Sequence, residues 1–202
     1  MVNLTFSKHL LSPALSSTSG GGEGENHRVG SGRARTESRD AGMKVVIANR
    51  QRTKKVQGRR LKQIVEALLR DELEIREAEL GIHLVGAREM ARVNWQFLRH
   101  EGSTDVITFD HLDPAAPGPK LRLHGELFIC VDDAVAQARE FGTTWQEEVV
   151  RYAVHGGLHL LGYDDLKPAW RRKMKRQENR LVKVLASRFS LAQLSRPVKL
   201  AK

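Results

Sequence analysis

The chain has 202 residues, 40% of them hydrophobic, and carries a formal net charge of +10 at pH 7. This length is enough for one domain with a proper core, and no apolar run approaches the roughly 20 residues that a membrane-spanning helix needs. The one cysteine, Cys130, excludes an intrachain disulfide and fits a reducing, cytoplasmic setting.

Basic residues are concentrated in two stretches of the chain. Residues 167–202 contain 12 Lys or Arg and a single acid, Glu178, and residues 50–62 contain seven basic residues and no acid. Such clusters attract polyanions, above all nucleic acid. A solvated helix face or a basic tail gives the same pattern, so charge alone leaves both interpretations open.

The first 42 residues differ in composition from the rest of the chain. They are rich in Ser, Gly and Arg and lack a periodic apolar pattern, which predicts disorder. Met43 is a candidate for the true start of translation. A transit peptide is an alternative that Glu23 and Glu25 disfavour. The predicted organisation is a disordered extension at 1–42, a domain at 43–187 and a basic tail at 188–202.

From residue 43 onward, strand-like and helix-like patterns alternate. Short apolar runs predict strands at 44–49, 82–85, 106–109 and 121–131. Apolar residues at helical spacing predict helices at 61–69 and 87–98, and another that ends near Phe141. This alternation predicts an α+β fold, a single domain in which helices pack against a small mixed sheet, with more helix than strand.

The most informative segment is 155–165, which reads His-Gly-Gly-Leu-His-Leu-Leu-Gly-Tyr-Asp-Asp. His155 and His159 are four residues apart, so one helix face presents both and the two rings can bind a single metal ion. Gly162 can adopt the left-handed conformation that ends a helix, and the chain can then bring Asp165 to the same ion. Imidazole and carboxylate ligands are typical of zinc, and three protein ligands leave a fourth position open, as in catalytic sites. A surface helix that happens to carry two histidines is the alternative.

The residues around this motif predict a helix. Thr144 and Glu147 form a capping box at its start. A small or apolar stripe lies roughly 150° away from the histidine pair, which predicts that the stripe packs on the protein and the histidines face a cleft. The stripe consists of Val150, Ala153, Val154, Gly157, Leu158 and Leu161.

The last predicted helix is basic and begins at Pro168. Its apolar residues are predicted to point inward: Trp170, Met174, Leu181 and Leu185.

With these motifs placed, the chain from about Met43 to Leu185 resembles the YbeY-type endoribonucleases, bacterial rRNA maturation factors with a zincin-like fold. The family signature H-G-x-L-H-L-x-G-Y-D-H is matched from His155 to Asp164. Three further family blocks occur in order. They are N-x-x-Y-R followed by T-D-V-L-S-F, at 94–98 and 104–109; a G-x-I-x-I-like strand at 125–129 with Gln137-Ala138; and M-x-x-x-E, at Met174 to Glu178.

The chain departs from the family pattern at two positions. The third metal ligand, usually histidine, is Asp165, whose negative charge makes the ion a weaker Lewis acid and favours harder ions such as manganese. The arginine of the second block is replaced by Leu98. Arg99 and His100 are the candidate catalytic replacements, although the pattern favours an ordinary surface residue at each position.

The resemblance implies a zinc-dependent endoribonuclease that cleaves single-stranded RNA in the cytoplasm. Its expected role is maturation of the 16S rRNA 3′ end and ribosome quality control. RNA of the small ribosomal subunit is the expected partner, and one zinc ion is expected at His155, His159 and Asp165. One alternative is a non-catalytic RNA-binding ribosome biogenesis factor with a structural metal. A metallopeptidase is the other, but Gly156 stands where the H-E-x-x-H helix carries its general base.

Overall fold

The computed structural model of the chain describes residues 3–6, 42–112 and 122–195. One mixed sheet lies at its centre, with strands in the order β1-β4-β5-β3-β2. Strands β2, β3 and β5 run parallel, whereas β4 is antiparallel to β5 and β1 is antiparallel to β4. The strands are β1 Asn3–Phe6, β2 Met43–Asn49, β3 Glu77–Val85, β4 Val106–Asp110 and β5 Arg122–Cys130.

Five α-helices connect and cover the strands. The bounds predicted for the helix at 87–98 are confirmed, and helix exceeds strand in the described residues, as predicted. The first helix continues into a π-helical turn at Leu68–Glu72, and a 3₁₀ turn at Leu191–Ser195 follows the last helix. The helices are α1 Gly58–Ala67, α2 Ala87–Leu98, α3 Val131–Phe141, α4 Trp145–Leu160 and α5 Pro168–Arg188. The predicted α+β fold is confirmed.

The two faces of the sheet are covered differently. Side chains alternate along β5, so Leu127 points to the face that α4 covers, while its neighbour Phe128 points to the opposite face. Most of the core lies between the α4 face and the helices. On the opposite face, α2 contributes Met90 to a smaller apolar cluster with Ile107 and Phe109.

Helix α4 lies at the centre of the molecule. Its start is as predicted, since the Thr144 hydroxyl accepts a hydrogen bond from the Glu147 amide at 3.2 Å. The predicted amphipathic character is wrong, because every residue from 148 to 160 is buried. Elements pack around the whole helix: β4 and β5 on one side, and α3, α5 and α1 on the others.

The close approach of α4 to the sheet depends on Gly156. A Cβ atom at this position would lie 2.7 Å from Leu127 Cδ2, and 3.3 Å from the Thr108 hydroxyl. Neither distance leaves room for a larger side chain without moving the strand. The helix can therefore lie directly on β4 and β5 only because this residue is glycine.

Short segments at both ends of the chain, outside the predicted domain at 43–187, are part of the described structure. Residues 3–6, within the segment predicted to be disordered, form an edge strand whose backbone pairs with β4; residues 7–41 lie outside the described part. The predicted tail at 188–202 includes the 3₁₀ turn, where Leu194 is fully buried and its carbonyl accepts from the Gln57 amide at 2.7 Å. Residues 196–202 lie outside the described part. None of the described helices is long and apolar enough to cross a bilayer.

Candidate metal centre

The structure brings together the three residues predicted to bind a metal. One potential ligand atom from each of His155, His159 and Asp165 lies within 4.8 Å of the other two. The Nε2 atoms of the two histidines are 2.9 Å apart, and Asp165 Oδ2 lies 4.0 Å from His155 Nε2. Gly162 has the positive φ of 81° that the sequence predicted for the turn. This turn reverses the chain after α4 and places Asp165 beside the helix.

Glu178 of α5 fixes the ring of His155. The Nδ1 atom of His155 lies 3.0 Å from Glu178 Oε2, while Arg151 and Lys175 each donate to Glu178 Oε1 at 3.0 Å. Burial raises the pKa of the Glu178 carboxyl, but the hydrogen bond from His155 and the charges of Lys175 and Arg151 outweigh it and hold the pKa at about 2. Glu178 is therefore an ionised acceptor, and His155 must donate from Nδ1.

A backbone carbonyl fixes the ring of His159 in the same way. Its Nδ1 atom lies 2.9 Å from the carbonyl oxygen of Tyr163, which can only accept. Asp164 accepts from the Leu166 amide at 2.8 Å and so caps the turn. His159 therefore also carries its proton on Nδ1.

The two Nε2 atoms then face each other with unshared electron pairs. At 2.9 Å this arrangement is repulsive unless a proton or a metal cation lies between the rings. Burial and the neighbouring His155 lower the pKa of His159 to about 4, against the opposing charge of Asp165, so protonation is disfavoured. A cation bound by both nitrogens and by the Asp165 carboxylate satisfies all three groups.

The spacing of these atoms suits a small tetrahedral ion. Zinc binds imidazole nitrogen and carboxylate oxygen at about 2.0–2.2 Å, which separates neighbouring ligand atoms by about 3.3–3.5 Å. The observed separations of 2.9 Å and 4.0 Å lie on either side of this value. A carboxylate or a carbonyl on the remote ring nitrogen is also the usual support of a metal-binding histidine. The residues present therefore fit a metal ion.

The cleft predicted in front of the histidines is not open. His155 and His159 are only 2% and 6% exposed, and the Asp165 side chain is 14% exposed. The sequence pattern gave the wrong environment because α5 packs over the face of α4 that carries the histidines.

The two candidate catalytic residues of the second block lie at the end of α2. Arg99 is exposed and ends the helix in the left-handed conformation, with φ of 56°. His100 lines a cavity of about 340 Å³, together with Asn94 and Asp105. Leu98, at the position of the family arginine, packs against the apolar cluster on the α2 face of the sheet. The catalytic role of Arg99 or His100 stays a prediction.

Asp105 is a buried carboxyl at the entry of β4. Its Oδ1 atom accepts from the Val106 amide at 2.9 Å and from the Thr104 hydroxyl at 3.0 Å, which are the local hydrogen bonds expected at a strand entry. Burial raises the pKa of Asp105 to about 6, although His155 and these hydrogen bonds act in the opposite direction. Asp105 also lines the cavity beside Asn94.

The sequence predicted the three candidate ligands but not the residue that orients the first of them. Glu178 was recognised only as part of the M-x-x-x-E block. Its spacing gave a signal, because Glu178 shares the helical stripe of Met174, Leu181 and Leu185, all of which are buried. A buried carboxylate on an apolar stripe requires hydrogen-bonding and charged partners, and here His155 supplies the hydrogen bond while Arg151 and Lys175 supply the charges.

Comparisons with known proteins agree with this geometry. The family model described as Endoribonuclease YbeY matches residues 46–186. The chain is 36% identical over 105 residues to the Endoribonuclease YbeY of Chlorobium phaeovibrioides, an alignment that covers 52% of this chain and 67% of that protein. It is 36% identical over 107 residues to that of Elusimicrobium minutum, covering 53% and 74%.

A solved structure shows a similar fold. The solution structure of TM1509 from Thermotoga maritima superimposes with a TM-score of 0.52 and 24% sequence identity. The match covers 78% of this chain and 99% of that one. At this identity the similarity concerns the fold.

Proposed function

The chain belongs to the YbeY endoribonuclease family, and from that premise we propose that it is a zinc-dependent endoribonuclease acting on single-stranded RNA. The proposed substrate is the 3′ end of 16S rRNA in the small ribosomal subunit, and the proposed setting is maturation and quality control of ribosomes in the cytoplasm. One observation carries the metal-dependent part of the proposal. Two histidines with fixed Nδ1 donors direct their Nε2 atoms at one point beside a carboxylate.

The protein side chains would hold and orient the ion. His155 and His159 supply the two neutral nitrogens, and Asp165 supplies the carboxylate oxygen. When bound, a zinc ion supplies Lewis acidity toward a phosphate oxygen. Because Asp165 adds a negative charge to the site, we expect the protein also to accept harder divalent ions such as manganese.

Basic side chains near the site suit a polyanionic substrate. Six Lys or Arg residues lie between 167 and 176, and the same stretch contains no acid. Arg171 donates from Nε to the Asp165 carbonyl at 2.9 Å, so this basic stretch adjoins the metal turn. Cationic groups at this place attract RNA and offset charge that develops on the phosphate during cleavage.

The alternative of a metallopeptidase receives no support from the site. The residue after the first histidine is Gly156, and a Cβ atom added there would lie 2.7 Å from Leu127 of β5 and 3.3 Å from the Thr108 hydroxyl of β4. No carboxylate occupies the place of the peptidase general base.

The test compares the metal-loaded wild-type protein with His155→Ala/His159→Ala on a single-stranded RNA that carries a small-subunit 3′ precursor end. Bound metal is counted by elemental analysis, and RNA binding is measured separately from cleavage. His83→Ala/His111→Ala is the matched control, because it removes two histidines from the opposite face of the sheet. We expect the wild type and the control to hold about one ion per chain and to cleave.

The first double variant should lose both the ion and cleavage while it still binds RNA. If wild type binds one ion and RNA but cleaves nothing, the protein is a binding factor with a structural metal. If wild type neither binds nor cleaves the RNA, the proposed function is wrong.

A further inference from the structure

The first turns of α5 stand outside the protein core. Trp170 was predicted to point inward, but 46% of its surface is exposed, and the preceding Leu166 is 76% exposed. The first buried side chain of α5 is Met174, so the prediction for Trp170 is wrong. The apolar stripe of α5 therefore begins at Trp170 in the sequence, whereas its buried part begins at Met174. A large aromatic side chain that remains half exposed is available to a ligand.

Cations lie over the aromatic rings in this region. Lys167 Nζ is 4.4 Å from the centre of the Trp170 ring, and Lys173 Nζ is 5.6 Å from the centre of the Tyr163 ring. Residues 166–177 contain six basic residues and no acid. The exposed aromatic surface is therefore set in a strongly positive environment, which a planar anionic ligand would complement.

This region is tied to the metal turn by direct contacts. Arg171, next to Trp170, donates to the carbonyl oxygen of Asp165, one of the predicted metal ligands. Tyr163, under Lys173, accepts through its carbonyl from His159. These contacts fix the start of α5 relative to the ligands of the ion. A nucleotide bound at Trp170 would thus belong to the same RNA strand that reaches the metal.

We propose that Trp170, with Lys167 and Arg171 beside it, forms a stacking subsite for one unpaired base of single-stranded RNA adjacent to the metal centre. This inference rests on the proposed function. It adds to it by naming an unpaired base as the part of the RNA that this subsite binds. A base stacks on the exposed indole, while the neighbouring cations bind the phosphates on either side of it. Sites for single-stranded nucleic acid combine these two elements, an aromatic platform and a basic track.

An apolar protein surface fits the same region less well. An apolar partner would have to bury six charged side chains, at a large cost in desolvation. Single-stranded RNA satisfies both the ring and the charges without that cost. A base-paired duplex does not expose a base face to Trp170, so the subsite predicts a preference for unpaired strands.

The experiment measures the binding of a fluorescently labelled single-stranded RNA to the metal-loaded full chain by anisotropy, with cleavage followed in parallel. The variants are Trp170→Ala and Trp170→Phe. Trp95→Ala is the matched control, because Trp95 is 51% exposed but lies on α2, which packs on the opposite face of the sheet from α4. A duplex of the same sequence tests whether an unpaired base is required.

Loss of one stacked base weakens binding by about 5- to 150-fold. We expect Trp170→Ala to weaken binding of the single strand by a factor within this range. Its binding of the duplex should equal that of the wild type. Trp170→Phe should recover part of the lost affinity, because phenylalanine still offers an aromatic face. Trp95→Ala should bind as the wild type does, and bound metal should be unchanged in all variants.

Two outcomes would overturn the inference while leaving the proposed function intact. In the first, the wild type binds and cleaves the single strand and Trp170→Ala does so equally well. In the second, Trp170→Ala weakens binding to the single strand and to the duplex by the same factor. A wild-type protein that neither binds nor cleaves the single strand would instead contradict the proposed function itself.

Discussion

Two histidine–carboxylate clusters lie on opposite faces of the sheet and differ in the ring nitrogen that the carboxylate occupies. On the α4 side, Glu178 binds Nδ1 of His155, so Nε2 faces His159. On the other side, Glu126 of β5 lies 3.0 Å from Nε2 of His83, and its second oxygen lies 3.4 Å from Nε2 of His111. In the first cluster the carboxylate therefore contacts Nδ1 of the histidine, and in the second it contacts Nε2.

The clusters also differ in burial. The Glu178 side chain is fully buried, whereas the Glu126 side chain is 41% exposed, beside His83 and His111 at 19% and 30%. In the described residues, only the group of His155, His159 and Asp165 brings three potential ligand atoms within 4.8 Å of one another. We therefore expect the position of the carboxylate, and not the number of histidines, to determine which cluster can hold a metal ion. When the carboxylate supports the remote nitrogen, the other nitrogen is left for the ion.

The largest expected difference between the clusters is in metal binding itself. His155→Ala and His159→Ala, tested singly, should each reduce the bound metal from about one ion per chain to a small fraction, because two protein ligands hold a divalent ion weakly. His83→Ala and His111→Ala should leave the bound metal unchanged. Elemental analysis after dialysis measures this. Retention of the ion by His155→Ala, or its loss from His83→Ala, would reverse the assignment of the two clusters.

The next largest effect concerns stability in acid. The folded-state pKa of Glu178 is about 2, below the ordinary value of 4.5. A depressed folded-state pKa contributes stability that is fully present above about pH 4.5 and is lost as the pH falls through about 2. In metal-free protein, Glu178→Gln should therefore lower the free energy of unfolding at pH 7 by on the order of 3 kcal/mol, and by much less near pH 2.

Glu126→Gln is the control for the acid experiment. The hydrogen bond from His83 also lowers the pKa of Glu126, against a smaller effect of burial. Because much of this carboxylate is exposed, solvent weakens its contribution to stability. Denaturant unfolding at several pH values measures both variants. An equal dependence on pH in the two variants would show that burial does not distinguish the clusters.

A smaller effect is expected on metal affinity when the orienting carboxylate is neutralised. Glu178→Gln keeps the shape of the side chain but leaves only one acceptor oxygen. Either the NH₂ group faces Nδ1 of His155, or the oxygen faces it without a negative charge. Loss of such a supporting group typically weakens metal binding by about 10- to 100-fold. Competition with a chelator of known affinity measures the change, and Glu126→Gln should have no effect. An affinity that stays within twofold of the wild type would show that His155 is positioned by packing alone.

The local part of this site is predictable from the sequence, and the long-range part is not. The helix at α4, the cap at Thr144 and the turn at Gly162 follow from spacing over fewer than 20 residues, and they were sufficient to predict His155, His159 and Asp165 as ligands. Glu178 approaches His155 from another helix, 23 residues further along the chain. Such a contact depends on how α5 crosses α4, which periodicity does not specify.

The errors in the predicted burial have the same origin. Trp170 continues the apolar spacing of Met174, so the pattern alone placed it in the core, yet the part of α5 before Met174 is exposed. Conversely, the histidine face of α4 is polar in sequence but buried, because Glu178, Lys175 and Arg151 satisfy the polar groups there. Periodicity gives the faces of one helix, whereas burial depends on what packs against each face.

The smallest expected effect belongs to the exposed cluster. His83→Ala removes the hydrogen bond that lowers the pKa of Glu126, so that pKa should rise toward its ordinary value in an NMR titration. A partly exposed pair of this kind contributes about 0–1 kcal/mol to stability, and salt reduces the contribution further. His83 also stacks on Phe128 at 4.5 Å between ring centres, so His83→Phe, which keeps a stacked ring but not the hydrogen bond to Glu126, separates the two contributions. If the stability lost in His83→Ala is recovered in His83→Phe, stacking and not the hydrogen bond stabilises this face of the sheet. A loss above 2 kcal/mol that persists in His83→Phe would mean that the exposed cluster resembles the buried one more closely than its geometry indicates.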